Sequence, residues 1–200
     1  MKKGKFIVFE GLDGSGQSTQ IALLEQYLKN KGRKVFITSE PSNNVIGGLI
    51  RSILKSHIKL SNTGVQLLYC ADRAHHLEVD IVPALEAGID VITSRFYFST
   101  LAFGSLNNDV KWLKALNEKF PDPDIAIFLK VPPKECMRRI NGSRFRTELF
   151  EKEQKLTKAY KTYLKIAKDK DYKSFVMVDG NRAVEQVAQD ICNTIDKIIK

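Results

Sequence analysis

The sequence predicts an α/β fold: one five-stranded parallel sheet with helices on both faces. Three observations lead there. Short apolar runs alternate with amphipathic helical stretches along the chain, the pattern of parallel strands joined by helical crossovers. A glycine-rich loop stands directly between the first apolar run and the first helical stretch. No linker, repeat or low-complexity tract divides the 200 residues, so 1–200 read as a single domain able to bury its own core.

The elements follow in order. Residues 5–10 are an apolar run ending at a glycine, and are expected to form the first strand. Residues 18–30 carry Ile21, Leu24 and Leu28 at helical spacing. Residues 34–39 make a second strand and 45–55 a helix. Residues 63–87 place Val65, Leu68, Tyr69 and Asp72 in a helical pattern, with Pro83 bending its end. Residues 90–94 are a third strand, closed by a polar turn, and 110–120 are helical. Residues 125–131 are a fourth strand, and Pro133 opens a helix over 133–140. Residues 149–168 form a long basic helix and 175–179 a fifth strand. The last helix sets Val184, Val187, Ala188, Ile191, Ile195 and Ile198 on one stripe. Sheets of this kind bind ligands beyond the carboxyl ends of their strands. Chemistry is therefore expected at 11–19, Glu40-Pro41, 94–98, Lys130 and 179–182.

Composition narrows the classes. Hydrophobic residues make up 43% and charged residues 28%, an ordinary globular balance. No apolar run has the length of a membrane helix, and the basic start precedes a strand, not a cleavage site. A cytoplasmic protein without membrane partners is expected. Cys70, Cys136 and Cys192 have neither disulfide nor metal spacing and read as small hydrophobes. The net charge of +9 suits polyanions of any size. The basic residues are spread along the chain without interleaved aromatics, so nucleic acid ranks last among partners.

The strongest signal is the loop Gly11, Leu12, Asp13, Gly14, Ser15, Gly16, Gln17, Ser18, followed by Thr19. Its glycines let backbone N–H groups converge on an anion, and the helix behind adds its positive dipole end. This is the P-loop of nucleotide-binding proteins, with one departure: Gln17 stands where the motif has lysine. Ser18 offers a hydroxyl to Mg²⁺ and is the one candidate metal ligand.

With those residues in view, the chain resembles the thymidylate kinase family over nearly its whole length. The likeness rests on 9–16 and 18–20, on Glu40-Pro41, and on the helix segment from Leu67 to His76. It extends to Ser94-Arg95-Phe96-Tyr97 with Ser99, Ala102 and Phe103, to 121–124 and 129–133, and to 178–182. The resemblance implies a P-loop, nucleoside monophosphate kinase-like fold. It implies ATP with Mg²⁺ as donor, dTMP as acceptor, and a homodimer. It places Gly11, Leu12, Asp13, Gly14, Ser15, Gly16, Gln17, Ser18, Thr19, Asn181 and Arg182 at ATP. It places Asp13, Glu40, Tyr69, Arg73, Arg95, Ser99 and Phe103 at the acceptor. Arg73 would clamp the dTMP phosphate, since guanidinium matches phosphate oxygens. Tyr69, four residues earlier on the same face, would stack on thymine. Spacing alone leaves Tyr69 equally open to core packing, as it does Phe103. Asp13 would accept from the sugar hydroxyl, and Gln66 lies where it could meet the base. His75 and His76 are expected to be surface or packing residues.

Arg139, Arg144 and Arg146 flank a polar turn and resemble a lid over 139–150, with Arg144 and Arg146 joining Arg95 and Lys130 in catalysis. Three charged positions depart from the family: Gln17, Ser94 where aspartate is expected, and Lys130 where aspartate is expected. Lys130, in an apolar strand, is expected to need a partner and so to reach the β- and γ-phosphates in place of the missing lysine. The departures keep open a kinase for another nucleotide such as dUMP, and a weakly active or non-catalytic nucleotide binder.

Overall fold

Alternation is literal in β1 (Phe6–Gly11), where Phe6 and Val8 enter one core while Ile7 and Phe9 enter the other. A strand buried on both faces must lie inside the sheet, and β1 does. The structure, a computed structural model, describes residues 3–141 and 153–199. Its strands β1, β2 (Val35–Ser39), β3 (Asp90–Ser94), β4 (Ile125–Lys130) and β5 (Phe175–Asp179) pair in parallel in the order β2-β3-β1-β4-β5.

One face is covered by α1 (Gln17–Asn30), through Ile21, Leu24 and Leu28, and by α9 (Val184–Ile195), through Val187, Ile191 and Ile195. The other face carries the rest. There α2 (Val45–Leu54) packs on α3 (Asn62–His76), which runs through a wide π turn at Leu77–Ile81 into α4 (Val82–Glu86). After β3 come α5 (Tyr97–Ser99), a second π turn at Thr100–Gly104, and α6 (Val110–Asn117). α7 (Pro133–Asn141) follows β4, and α8 (Glu153–Ile166) lays Leu156, Ala159, Tyr163 and Ile166 on the core. Side-chain caps start two of these helices, Ser61 accepting from Gly64 N and Asp109 from Trp112 N.

Two segments differ from the sequence reading. The helix expected over 63–87 widens at 77–81, just before Pro83, which has no N–H to give and whose ring crowds the preceding turn. Residues 97–104 coil into helical turns where only a polar turn was expected. Tyr97, Phe98, Leu101, Ala102 and Phe103 are buried all round, which erases the periodic stripe that betrays a surface helix. Among the described residues no helix is long and apolar enough to cross a membrane.

The topology sets the site. The chain leaves β1 toward β2 and leaves β3 toward β4, so neighbours β1 and β3 send their connections in opposite directions. Such a switch point opens a crevice between the carboxyl ends of the two strands.

Candidate active site

The loop after β1 turns twice through left-handed backbone, at Gly14 (φ 82°) and Gly16 (φ 93°), conformations that cost glycine nothing. Gly14 is also pinned sterically, since a Cβ there would meet the Cys136 carbonyl oxygen at 2.6 Å. α1 begins with no side-chain cap and no acidic residue in its first turn, leaving its N–H groups to an anion. Ser15 Oγ, buried in the loop, has no hydrogen-bond partner among the described residues. A phosphate group is the ligand that answers both features. Leu12, named with the loop, sends its side chain into the core, so only its backbone faces the site. Ser18 and Thr19 are exposed on the first turn of α1. Gln17 is buried, and Ser94 Oγ donates to its Oε1 at 3.5 Å.

Beside the loop lies a cavity of about 630 Å³, counting its open mouth. All seven residues predicted to hold the acceptor, Asp13, Glu40, Tyr69, Arg73, Arg95, Ser99 and Phe103, line it, and so does Gln66. They come from four places: the loop, the turn after β2, α3, and the turn after β3. α3 aims Gln66, Asp72, Arg73 and His76 inward, an inner face unusually polar for a buried helix. Asp72 does not reach the cavity. It ties down the turn after β2, accepting from Ser42 N at 2.7 Å and Ser42 Oγ at 2.6 Å. His76 packs in the interior against Thr38 Oγ1 at 2.7 Å.

The two arginines differ. Arg73, 1% exposed, donates from Nε and Nη2 to Glu40 Oε2 and from Nη2 to Thr100 Oγ1, with Nη1 on Asn117 Oδ1. Its charge is met before any ligand arrives. Arg95 sits at the mouth with φ 71°, a strained conformation for a residue with a side chain. It reaches Asp13 Oδ1 of the loop at 2.5 Å and Ser99 Oγ at 3.1 Å, and lies over the Phe103 ring.

Sequence reasoning missed Glu10, the carboxylate beneath this arrangement. It is fully buried and accepts from Phe96 N (2.9 Å), Ser99 Oγ (2.6 Å) and Tyr163 Oη (2.7 Å). Burial pushes its pKa up, partly countered by the Ser99 hydrogen bond and the Arg95 charge. A carboxylate inside an otherwise apolar strand was the available signal. Burial also raises the Tyr69 phenol, keeping it neutral.

Of the two residues expected at the adenine end, Asn181 follows β5 with its Oδ1 3.5 Å from Arg139 Nη2, and Arg182 is held by Asp190 and Asp179. The expectation for Lys130 rested on burial, and that premise is wrong. β4 ends at Lys130, whose side chain emerges into solvent, so nothing obliges it to seek a partner. Arg144, Arg146 and most of the segment 139–150 lie outside the described residues. Among the described residues no group of three or more His, Cys, Asp or Glu side chains could hold a metal ion.

With this geometry established, comparison with known proteins is specific. The family model for thymidylate kinase matches residues 9–191. The chain is 36% identical over 206 residues to a probable thymidylate kinase of Thermococcus gammatolerans, covering 98% of each. It is 37% identical over 200 residues to the thymidylate kinase of Thermosipho africanus, covering 96% of this chain and 98% of that protein. The thymidylate kinase of Plasmodium falciparum is 37% identical over 200 residues, covering 98% and 92% respectively.

Proposed function

The chain belongs to the thymidylate kinase family, and we propose that its cavity receives dTMP while the glycine loop receives ATP, the γ-phosphate passing directly between them. It is an ATP-dependent phosphotransferase that makes dTDP from dTMP. The observation that carries the residue assignments is the Asp13–Arg95 pair. It joins the loop to the mouth of the cavity, so donor and acceptor phosphates meet there.

In this reading an oxygen of the dTMP phosphate attacks the γ-phosphorus as the bond to the β-phosphate oxygen breaks, and ADP leaves. No covalent enzyme intermediate is required, because positioning and electrostatics carry phosphoryl transfer. Arg95 holds the acceptor phosphate and the charge of the transferring group. Arg73 was expected to do this, but its Glu40 partner and its depth suit it to the polar edge of the base. Tyr69 stacks on the base, Asp13 accepts from the sugar hydroxyl, and Ser99 and Phe103 fix Arg95 at the mouth. The loop amides, Ser15 and Ser18 hold the ATP phosphates, with Asn181 and Arg182 toward the adenine end.

The donor set fits a Mg²⁺ ion carried by phosphate. Ser18 supplies a hydroxyl, Ser94 is neutral, and Asp13 is already paired with Arg95. Ser18 would hold the ion, which when bound neutralises phosphate charge. The same reading carries a cytoplasmic homodimer, for which exposed Leu67, Val79 and Val82 along the α3–α4 run supply apolar surface.

A coupled assay with ATP, Mg²⁺ and dTMP, dUMP, dCMP and thymidine tests the proposal. Turnover is expected to be highest on dTMP and absent on thymidine, which has no phosphate for Arg95. ATP binding without dTDP formation would overturn the proposal.

A further inference from the structure

P-loops set a lysine beside the β- and γ-phosphates, and here that position is neutral Gln17, turned toward Ser94. A polyphosphate bound there still needs a fixed cation. One stands over the loop. A Cβ built on Gly16 would lie 4.0 Å from Arg139 Nη1. We propose that Arg139, reaching in from α7, supplies at the ATP phosphates the positive charge that Gln17 does not bring. This rests on the reading of the loop as the donor site.

Three features aim the guanidinium. α7 is seated on the loop itself, since a Cβ on Gly14 would meet Cys136 O at 2.6 Å and Ile140 Cγ1 at 3.0 Å. Glu135, one turn back, accepts from Arg139 Nε at 2.8 Å and fixes the guanidinium beside the loop. Asn181 Oδ1 flanks Nη2 from the end of β5. The ion pair is present at neutral pH, because Arg138 and Arg139 hold the Glu135 carboxyl down at about 2. Arg138 shares Glu135 but its side chain stands 74% exposed, which makes it the natural control. Lys130, the cation that sequence suggested, has no comparable approach to Gly16.

The test measures affinity for ATP and for adenosine, with steady-state turnover, in Arg139→Met, Arg139→Lys, Arg138→Ala, Gln17→Lys and the Gln17→Lys/Arg139→Met pair. Arg139→Met is expected to weaken ATP roughly 30-fold and leave adenosine within about twofold. Arg139→Lys should keep most of the ATP affinity, and Arg138→Ala all of it. Gln17→Lys should recover at least about tenfold in the Arg139→Met background. The proposal is overturned if Arg139→Met leaves ATP affinity unchanged, if it weakens adenosine equally, if Arg139→Lys fails as badly, or if Gln17→Lys gives no rescue. Retained dTMP affinity certifies that each variant is folded. A parent that binds ATP yet makes no dTDP would sink the kinase reading alone, and the ATP-to-adenosine comparison would still decide the role of Arg139.

Discussion

Arg73 forks onto a single oxygen of Glu40, with Nε at 2.9 Å and Nη2 at 2.7 Å from Oε2, and neither side chain is more than 2% exposed. Removing one partner leaves the other charged and dry. Glu40→Gln and Arg73→Met should each destabilise the fold by about 3–5 kcal/mol, and the double variant should cost less than the sum. Urea unfolding of the three proteins reads this directly. Additive losses would mean that the two side chains do not share their energy.

Tyr69 should act through its ring. Tyr69→Phe is expected to keep the KM for dTMP within about threefold, whereas Tyr69→Ala should raise it about 10- to 100-fold, the range for losing one aromatic–base stack. The KM for ATP should stay put in both. An unchanged dTMP KM in the alanine variant would return Tyr69 to the core.

Gly14 has no room for a methyl group, having φ 82° and the Cys136 carbonyl 2.6 Å from where a Cβ would sit. Gly14→Ala should raise the KM for ATP at least about tenfold and cost about 1–3 kcal/mol of stability. Binding of dTMP should survive. A variant with normal ATP kinetics would show that the loop does not grip the donor.

Glu10 gives a pH signature. Its pKa is raised above the ordinary 4.5 by burial, so the folded state holds the proton more tightly than the unfolded chain. Stability contributed by this group is greatest below 4.5 and falls as pH climbs through the raised value. Glu10→Gln should flatten that descent when urea midpoints are compared from about pH 4 to about pH 8. Parallel curves for the two proteins would refute the assignment.

The parallel sheet and the loop were legible because both are written locally. Strand runs such as Ile125–Lys130 are short and apolar, and a phosphate loop needs its glycines at set spacing. The seven residues assigned to the acceptor were picked out by motif likeness, and the structure gathers them around one cavity. Their partnerships were not legible. That Arg73 is spent on Glu40, 33 residues away, depends on how α3 docks against the end of β2. Glu10 stayed hidden because its three partner residues lie 86 to 153 positions downstream. Lys130 misled because a strand's last residue can leave the sheet, and helical turns at 97–104 hid because total burial removes periodicity.

Consecutive residues of β1 serve opposite faces. Glu10 braces the turn beneath Arg95, while Gly11 opens the loop, packed so tightly that a Cβ would lie 2.6 Å from Ser15 Oγ. In the proposed arrangement the two substrates therefore hang from one peptide unit and move as one frame. Retuning this protein for a different acceptor is best attempted from α3, whose Gln66, Tyr69 and Arg73 line the cavity, since changes at the end of β1 would disturb cavity and loop together.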